Sequence, residues 1–333
     1  MNGSSESSRW RAVVVGCGPI GAIHAEAIHS HPAAELVGVC APTPTRRESL
    51  ARKHGTKAFS SLDEALEQCS LDCVFVASPD EQHIQQTMLA LQAGCHVLVE
   101  KPLGYSEQEA RDVCSLAHEK SLRVGVTYNR RYGFGYQQAK RLLSDSTIGD
   151  LRQIWLQVTD GTPPPKVATR PDVIFWTLLG HHLDMLRFLG GEIRSVTASL
   201  CSSRADQWID DVNVSCELDS GARAVLSAAY RDGQPRTTER CEIIGSRGGI
   251  VVEDVTRRVH YFQDNPDHTV ELRPNVFQAG DAFYQSLSCL IKDFIDKLVQ
   301  GEPPSVGTVD VVAANRLAEA ALASGESGTT VLL

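Results

Sequence analysis

Three short stretches of this chain hold residue types that chemistry needs. Gly16-Cys17-Gly18-Pro19-Ile20-Gly21 has the G-x-G-x-x-G spacing, directly after an apolar run and before a helical one. In that setting the glycines allow a tight turn, a close backbone approach to a pyrophosphate and close packing of helix on strand, while the helix N-terminus offers free N–H groups to the anion. Glu100-Lys101-Pro102 closes the apolar run His96 to Val99. An ammonium at the carboxyl edge of a parallel sheet can polarise a carbonyl, or stabilise the alkoxide left as a carbinol carbon gives up its hydride. Thr177, His181 and Asp184 are spaced by four and three residues, which puts them on one face of a helix. An imidazole is the natural proton partner for a hydroxyl being oxidised. Asp184 either binds a substrate hydroxyl or orients a neighbour, and His182, roughly 100° away around the helix, reads as structural.

The ribose-reading position departs from the usual pattern. An NAD site carries Asp or Glu about 20 residues beyond the glycines, at the end of the second strand. Here that place falls in Cys40-Ala41-Pro42-Thr43-Pro44, with Ala41 in place of the acid and Arg46 and Arg47 following. Without a carboxylate nothing repels a 2′-phosphate, and Arg46 or Arg47 can pair with one; alternatively both arginines cap a solvated helix start. The expected cofactor is therefore NAD(P)(H), leaning to NADP. A metal is not expected: there is no C-x-x-C pair, and Cys69 and Cys73, the closest two cysteines, lack a ligand set of proper spacing.

The elements that position these residues follow from periodicity. Ala12 to Val15, Leu36 to Cys40, Cys73 to Ala77, His96 to Val99 and Arg123 to Val126 are short apolar runs with no polar face, as in a parallel sheet covered on both sides. Helical patterns separate them: Ala22 to Ser30, Thr45 to His54, Ser61 to Gln68, Glu81 to Ala93 and Ser106 to Lys120. Ser61 with Glu64 and Ser106 with Glu109 are capping-box signatures. This alternation predicts a doubly wound, Rossmann-type α/β domain over 1–128.

After residue 128 the texture changes. A helix from about Gly135 to Ser144, an irregular stretch with Pro163, Pro164 and Pro165, and an apolar helix from Val173 to Leu189 precede alternating runs. Ser195 to Cys201, Asp211 to Leu218, Ala222 to Tyr230, Arg240 to Ile244 and Gly249 to Glu253 read as strands, turned at Ser220-Gly221 and Ser246 to Gly249. The expectation for 129–333 is an α+β domain, a mainly antiparallel open sheet with helices on one side, that binds substrate and makes the oligomer contact. Leu287, Leu290, Ile291, Phe294, Ile295 and Leu298 mark one more amphipathic helix.

Composition narrows the class of partner. The 333 residues carry a formal charge of −9 with no basic tail, which argues against nucleic acid or an anionic membrane. Neither a signal-type apolar segment at the N-terminus nor a run of about 18 apolar residues occurs. The ten scattered cysteines read as reduced thiols. A cytoplasmic small-molecule enzyme is expected.

Taken together, several motifs make the chain resemble the Gfo/Idh/MocA family of NAD(P)-dependent sugar and cyclitol oxidoreductases. They are the strand-end glycines, Ser78-Pro79-Asp80 with His83, the run Ala93 to Pro102, Asn129-Arg130-Arg131-Tyr132, and His181-His182-Leu183-Asp184 with Leu186-Arg187. The resemblance implies that Lys101 is catalytic and that its bond to Pro102 is often cis. It implies a D-x-G-x-H-x-x-D segment in which His181 is the acid/base histidine, Asp184 the second acid, and Thr177 stands where the first Asp belongs. It further implies cofactor contacts from Gly16, Gly18, Pro19, Ile20, Gly21, Ala41, Arg46, Ser78, Pro79, His83, Glu100, Lys101, Pro102, Asn129 and Arg130. Arg130 and Arg131 have a second reading as a solvated charge pair, and Trp176 either covers the cofactor or fills the core. Arg231, Arg236, Glu239 and Arg240 form a candidate substrate loop. The substrate would be a polyol, sugar, amino sugar or cyclitol, and the chain a homodimer or homotetramer through its C-terminal sheet. Two alternatives remain: a redox-assisted glycosidase or epimerase that holds NAD tightly, and a non-catalytic NAD(P)-binding regulator.

Overall fold

The computed structural model describes residues 9–161, 170–202, 208–231, 237–253, 257–264, 267–274 and 281–333. Pro163 to Pro165 and Arg236 lie outside them. The first part of the chain holds β1 (Trp10–Val15), α1 (Pro19–His29), β2 (Ala34–Cys40), α2 (Pro44–His54), β3 (Lys57–Phe59), α3 (Leu62–Gln68), β4 (Cys73–Val76), α4 (His83–Gln92), β5 (His96–Val99), α5 (Glu107–Glu119) and β6 (Val124–Val126). The six strands pair in parallel in the order β3-β2-β1-β4-β5-β6. That order reverses between β1 and β4, where open α/β sheets bind their ligands. Every residue of β4 is buried, as a strand covered on both faces must be.

Both serine caps form, and each glutamate carboxylate also takes the N–H one residue before its serine. The Ser61 and Ser106 hydroxyls accept from the N–H groups of Glu64 and Glu109 at 3.2 and 3.1 Å, and those carboxylates accept in turn from the N–H groups of Ser60 and Tyr105 at 2.7 and 2.6 Å. Within this parallel sheet, β3 is the strand that apolar periodicity did not reveal. Only Phe59 of its three residues is buried, too few to show a period.

The next part holds α6 (Phe134–Ser144), β7 (Leu151–Asp160), a π-helical turn over Phe175–Leu179, α7 (Gly180–Gly190), β8 (Ile193–Cys201), β9 (Asp211–Leu218), β10 (Arg223–Tyr230), β11 (Thr238–Gly245), β12 (Gly248–Glu253), β13 (Arg258–Gln263) and β14 (Thr269–Leu272). Then follow α8 (Ala282–Gln300), α9 (Thr308–Ser327) and β15 (Val331–Leu332). A nine-stranded sheet runs β14-β13-β12-β11-β7-β10-β9-β8-β15, antiparallel throughout except for the parallel pair β7 and β10. β7 buries Ile154, Leu156 and Val158 and exposes Gln153, Trp155 and Gln157, so one face is core and the other open. On the core face α7 packs against β7 and β10, and α6 against β12 and β13.

Two compact units divide the chain, residues 1–127 with 287–312 and residues 128–286 with 313–333. The expected second domain, 129–333, is thus interrupted, because residues 287–312 belong with the first unit. The apolar stripe of α8 accounts for this. Phe294 is 1% exposed and meets Phe75 of β4 edge to face, with ring centroids 5.8 Å apart. Among the described residues no helix is long and apolar enough to cross a membrane.

Candidate active site

At the carboxyl ends of β1 and β4 lies a cleft of about 890 Å³, lined by the glycine turn, by Ala41, Thr43 and Arg46, and by Ser78 and Pro79. Three glycines of the turn meet three different demands. Gly16 has φ +106°, and a Cβ there would sit 2.1 Å from the Ala77 carbonyl oxygen; at Gly21 it would sit 1.8 Å from that of Gly16. At Gly18 a Cβ would meet no protein atom within 4 Å. Gly18 is also the residue before α1 and supplies no side-chain cap, and Pro19 opens the helix, so the first-turn N–H groups face the cleft side unclaimed by a cap. This cradle fits a dinucleotide pyrophosphate. Gly18→Ala is accordingly expected to leave the melting temperature unchanged and to weaken NAD(H) binding more than tenfold, measured by titration calorimetry, since the added methyl fills space only the ligand needs.

The two arginines after Ala41 have separate tasks. Arg47 Nη1 donates to the carbonyls of Ala41 and Pro42 at 3.1 and 3.0 Å, holding the loop. Arg46 is exposed and lines the cleft. Cys17 is also in the lining, and burial pushes its thiol up to about 11, against the pull of Arg47.

Lys101 follows β5, the strand beside β4, and so stands on the same carboxyl edge as the cleft. A buried lattice fixes its backbone. Thr127 Oγ1 accepts from the Lys101 N–H at 3.3 Å and donates to Glu100 at 2.7 Å, and His24 Nε2 lies 3.0 Å from the other Glu100 oxygen. Burial by itself would raise the Glu100 carboxyl, but the hydrogen bonds from His24 and Thr127 and the charge of Lys101 bring it below its ordinary value. Glu100, expected at the cofactor, is therefore committed to positioning the turn that carries Lys101. The Lys101-Pro102 bond is cis. Asp80 adds a nearby negative group, its carboxyl raised by burial against the pull of Lys101 and His83.

His83 also differs from the expected cofactor contact. It is 0% exposed, its Nδ1 lies 2.8 Å from the Pro102 carbonyl oxygen and its Nε2 2.9 Å from that of Ser78. The ring staples the turn after β4 to the turn after β5. Pro102 is buried with it.

In the second unit the π-helical turn runs directly into α7 and places Thr177 one turn before His181. Such turns recur at functional sites because they re-aim side chains without ending the helix. Thr177 Oγ1 donates to the Val173 carbonyl at 2.8 Å and lies 2.8 Å from the phenol oxygen of Tyr230. His181 is 8% exposed, with the Tyr128 ring edge-on at 6.0 Å. Trp176 is core, its indole N–H donating to Asp172 at 3.0 Å.

Of its two readings, the geometry supports Asp184 as a residue that orients a neighbour. It is 0% exposed and takes a two-pronged contact from Arg131, Nε at 2.7 Å and Nη2 at 2.5 Å. Arg130 and Arg131 are not a solvated pair either, since Arg130 Nε lies 3.1 Å from Glu239 Oε2. Glu239 also receives the Tyr136 hydroxyl at 2.7 Å and meets His182 Nε2 at 3.1 Å, all three side chains being buried. Asn129, expected at the cofactor like Arg130, is 1% exposed and donates to Ser286 at 2.8 Å. Of the expected substrate loop, Glu239 thus belongs to the interior, and Arg231 and Arg240 form surface ion pairs with Asp211 and Glu253. Tyr230 was not singled out by sequence; its only signal was an aromatic at the end of an alternating run.

Residues 10–128 match the model of the oxidoreductase family with an NAD-binding Rossmann fold, Gfo/Idh/MocA, and residues 136–251 match a Gfo/Idh/MocA C-terminal domain. The chain is 28% identical to scyllo-inositol 2-dehydrogenase (NAD(+)) of Bacillus subtilis, over 97% of this chain and 96% of that one. It is 27% identical to Myo-inositol 2-dehydrogenase of Thermotoga maritima, over 97% and 98%. Among solved structures, a probable dehydrogenase from Thermotoga maritima superposes with a TM-score of 0.82 at 26% identity, covering 97% of this chain and 98% of that one. The glycine cradle, the lysine after β5, the two-unit architecture and these matches place the chain in the Gfo/Idh/MocA family of NAD-dependent oxidoreductases.

Proposed function

We propose that this chain moves a hydride between NAD(P)(H) and a secondary carbinol or ketone carbon of a sugar, amino sugar or cyclitol. The observation that carries the reading is Lys101 itself, an ammonium on the carboxyl edge of the parallel sheet, its turn fixed by Glu100, His24 and Thr127. When bound, the nicotinamide supplies the hydride chemistry. Lys101 stabilises negative charge as it develops on the substrate oxygen, and His181 takes up or returns the hydroxyl proton. The names of the two inositol dehydrogenase relatives support a polyhydroxylated ring as substrate.

Ala41 and the cleft-lining Arg46 support NADP(H) as the preferred form. Separate titrations with NADPH and NADH test this. Tighter binding of NADPH, reduced to the NADH level by Arg46→Ala, is expected; tighter binding of NADH by the unaltered protein overturns it. The open face of the nine-stranded sheet, where Trp155 is 56% exposed, supports a homodimer or homotetramer, which sedimentation equilibrium checks.

A further inference from the structure

Helix α1 has a part in two places at once. Its first turn, from Gly18 and Pro19, borders the cofactor cleft. His24 follows Pro19 by five residues, about 7.5 Å along the axis, and is fully buried, its ring edge-on to Phe75 of β4 with centroids 6.0 Å apart. A carboxylate only accepts, so the 3.0 Å contact between His24 Nε2 and Glu100 Oε1 is a donation by the imidazole. His24 Nδ1 has no partner among the described residues, so the contact with Glu100 is what the ring is held for.

Beyond Glu100 the protons are committed. Thr127 gives its single hydroxyl proton to Glu100 Oε2 at 2.7 Å and accepts the Lys101 N–H at 3.3 Å. The Lys101 backbone is thus oriented by Thr127, Thr127 by the carboxylate, and the carboxylate by His24. Without the imidazole donor, Glu100 Oε1 loses the one donor it has among the described residues, a costly loss in a largely buried group. The carboxylate must then move or take up a proton, and either change disturbs the acceptor that orients Thr127.

We propose that His24 is a positioning residue for the reaction: its Nε2–H ties the helix that borders the pyrophosphate cradle to the carboxylate that sets the Lys101 backbone, and so keeps cofactor and ammonium in one register. This rests on the reading of Lys101 as the group that stabilises the substrate oxygen. What the link controls is distance, and reacting groups displaced by about 1 Å lose on the order of a hundredfold in rate. His24 is outside the lining of the cleft, so the effect falls on turnover and not on cofactor affinity.

The test uses the full chain with NAD+ and NADP+ and a panel of myo-inositol, scyllo-inositol, D-glucose and D-glucosamine, and follows the polyol turned over fastest. A glutamine side chain is long enough to place a donor where Nε2 stands, whereas asparagine reaches only the position of Nδ1. His24→Gln is expected to keep kcat within about threefold of the parent and His24→Asn to lower it roughly ten- to a hundredfold, both with NAD(P)H affinity unchanged within about twofold. The pH profile gives a second readout. Burial pushes the Glu100 carboxyl up, and the hydrogen bonds from His24 and Thr127 and the charge of Lys101 bring it below its ordinary value, with Asp80 of the turn after β4 as the like charge nearby. With the His24 donor gone, Glu100 takes up a proton at higher pH, so the acid limb of kcat should move upward in His24→Asn and much less in His24→Gln. Thermal melting of each variant separates this from a folding defect, and if His24→Asn does not fold, His24→Met, which fills the space without a donor, takes its place. Equal kcat in the variants with and without the donor, or a loss confined to cofactor affinity, overturns the proposal and leaves the redox reading standing. Parental kcat in Lys101→Ala, or no turnover of the panel with either cofactor, overturns that reading and the proposal with it.

Discussion

Lys101→Ala is expected to lower kcat about a hundred- to a thousandfold, the cost of removing one preorganised charge at a developing oxyanion, while NAD(P)H affinity stays within about twofold. The asymmetry follows from where the groups sit. The dinucleotide cradle is made by Gly16, Gly18 and Gly21 and the start of α1, and Lys101 is not among the residues lining that cleft. The turn around Lys101 is held through its backbone N–H and through the hydrogen bonds of Glu100 with Thr127 and His24, none of which is made by the lysine side chain. Truncation should therefore leave the fold and the cofactor site intact and subtract a charge from the chemistry alone. Steady-state kinetics with a separate fluorescence titration of NAD(P)H reads both quantities. A loss confined to cofactor affinity would assign Lys101 to binding instead.

Glu239→Gln is expected to cost about 3 kcal/mol of stability at pH 7, because it leaves the largely buried Arg130 guanidinium without its countercharge. Burial would raise the Glu239 carboxyl, but Arg130 and the hydrogen bonds of His182 and Tyr136 outweigh it and bring the group from an ordinary 4.5 to about 2. A carboxyl depressed on folding contributes stability that is fully present above its unfolded value and lost as pH falls through its folded one. The contribution therefore stands above about pH 4.5 and disappears on the way down to about 2. At some 1.36 kcal/mol per unit this shift is again worth about 3 kcal/mol, so the two figures describe one interaction and do not add. Urea unfolding across that window should show a steep acid limb in the parent and a flatter one in the variant. Parallel limbs would mean that Glu239 is not the group responsible.

Local signals in the chain were enough for much of this architecture. The glycine turn, the two serine caps and the apolar runs of β1, β2, β4, β5 and β6 each depend on residues within one turn or one strand, so spacing alone reveals them. Lys101 was readable for the same reason, since it closes an apolar run beside a proline. What spacing does not carry is the identity of distant partners. Asp184 looked available until Arg131, 53 residues earlier, was found to hold both its oxygens, and Asn129 meets Ser286 across 157 residues. His83 carries a cofactor-like motif, yet its two ring nitrogens are taken by backbone carbonyls, and backbone groups leave no mark in a sequence. β3 and the interruption of the second unit by α8 likewise depend on what a short or amphipathic segment packs against.

The central claim is net hydride transfer from a polyol to a nicotinamide cofactor, assisted by Lys101. Its most direct measurement is the stoichiometry of cofactor reduction during turnover of the sugar and cyclitol panel, followed by nicotinamide absorbance with product quantified in parallel. The account predicts one NAD(P)H formed for each ketone formed, lost in Lys101→Ala. Product appearing without net reduction of added cofactor, or tight NAD(P)H binding with no turnover of any member of the panel, would contradict it.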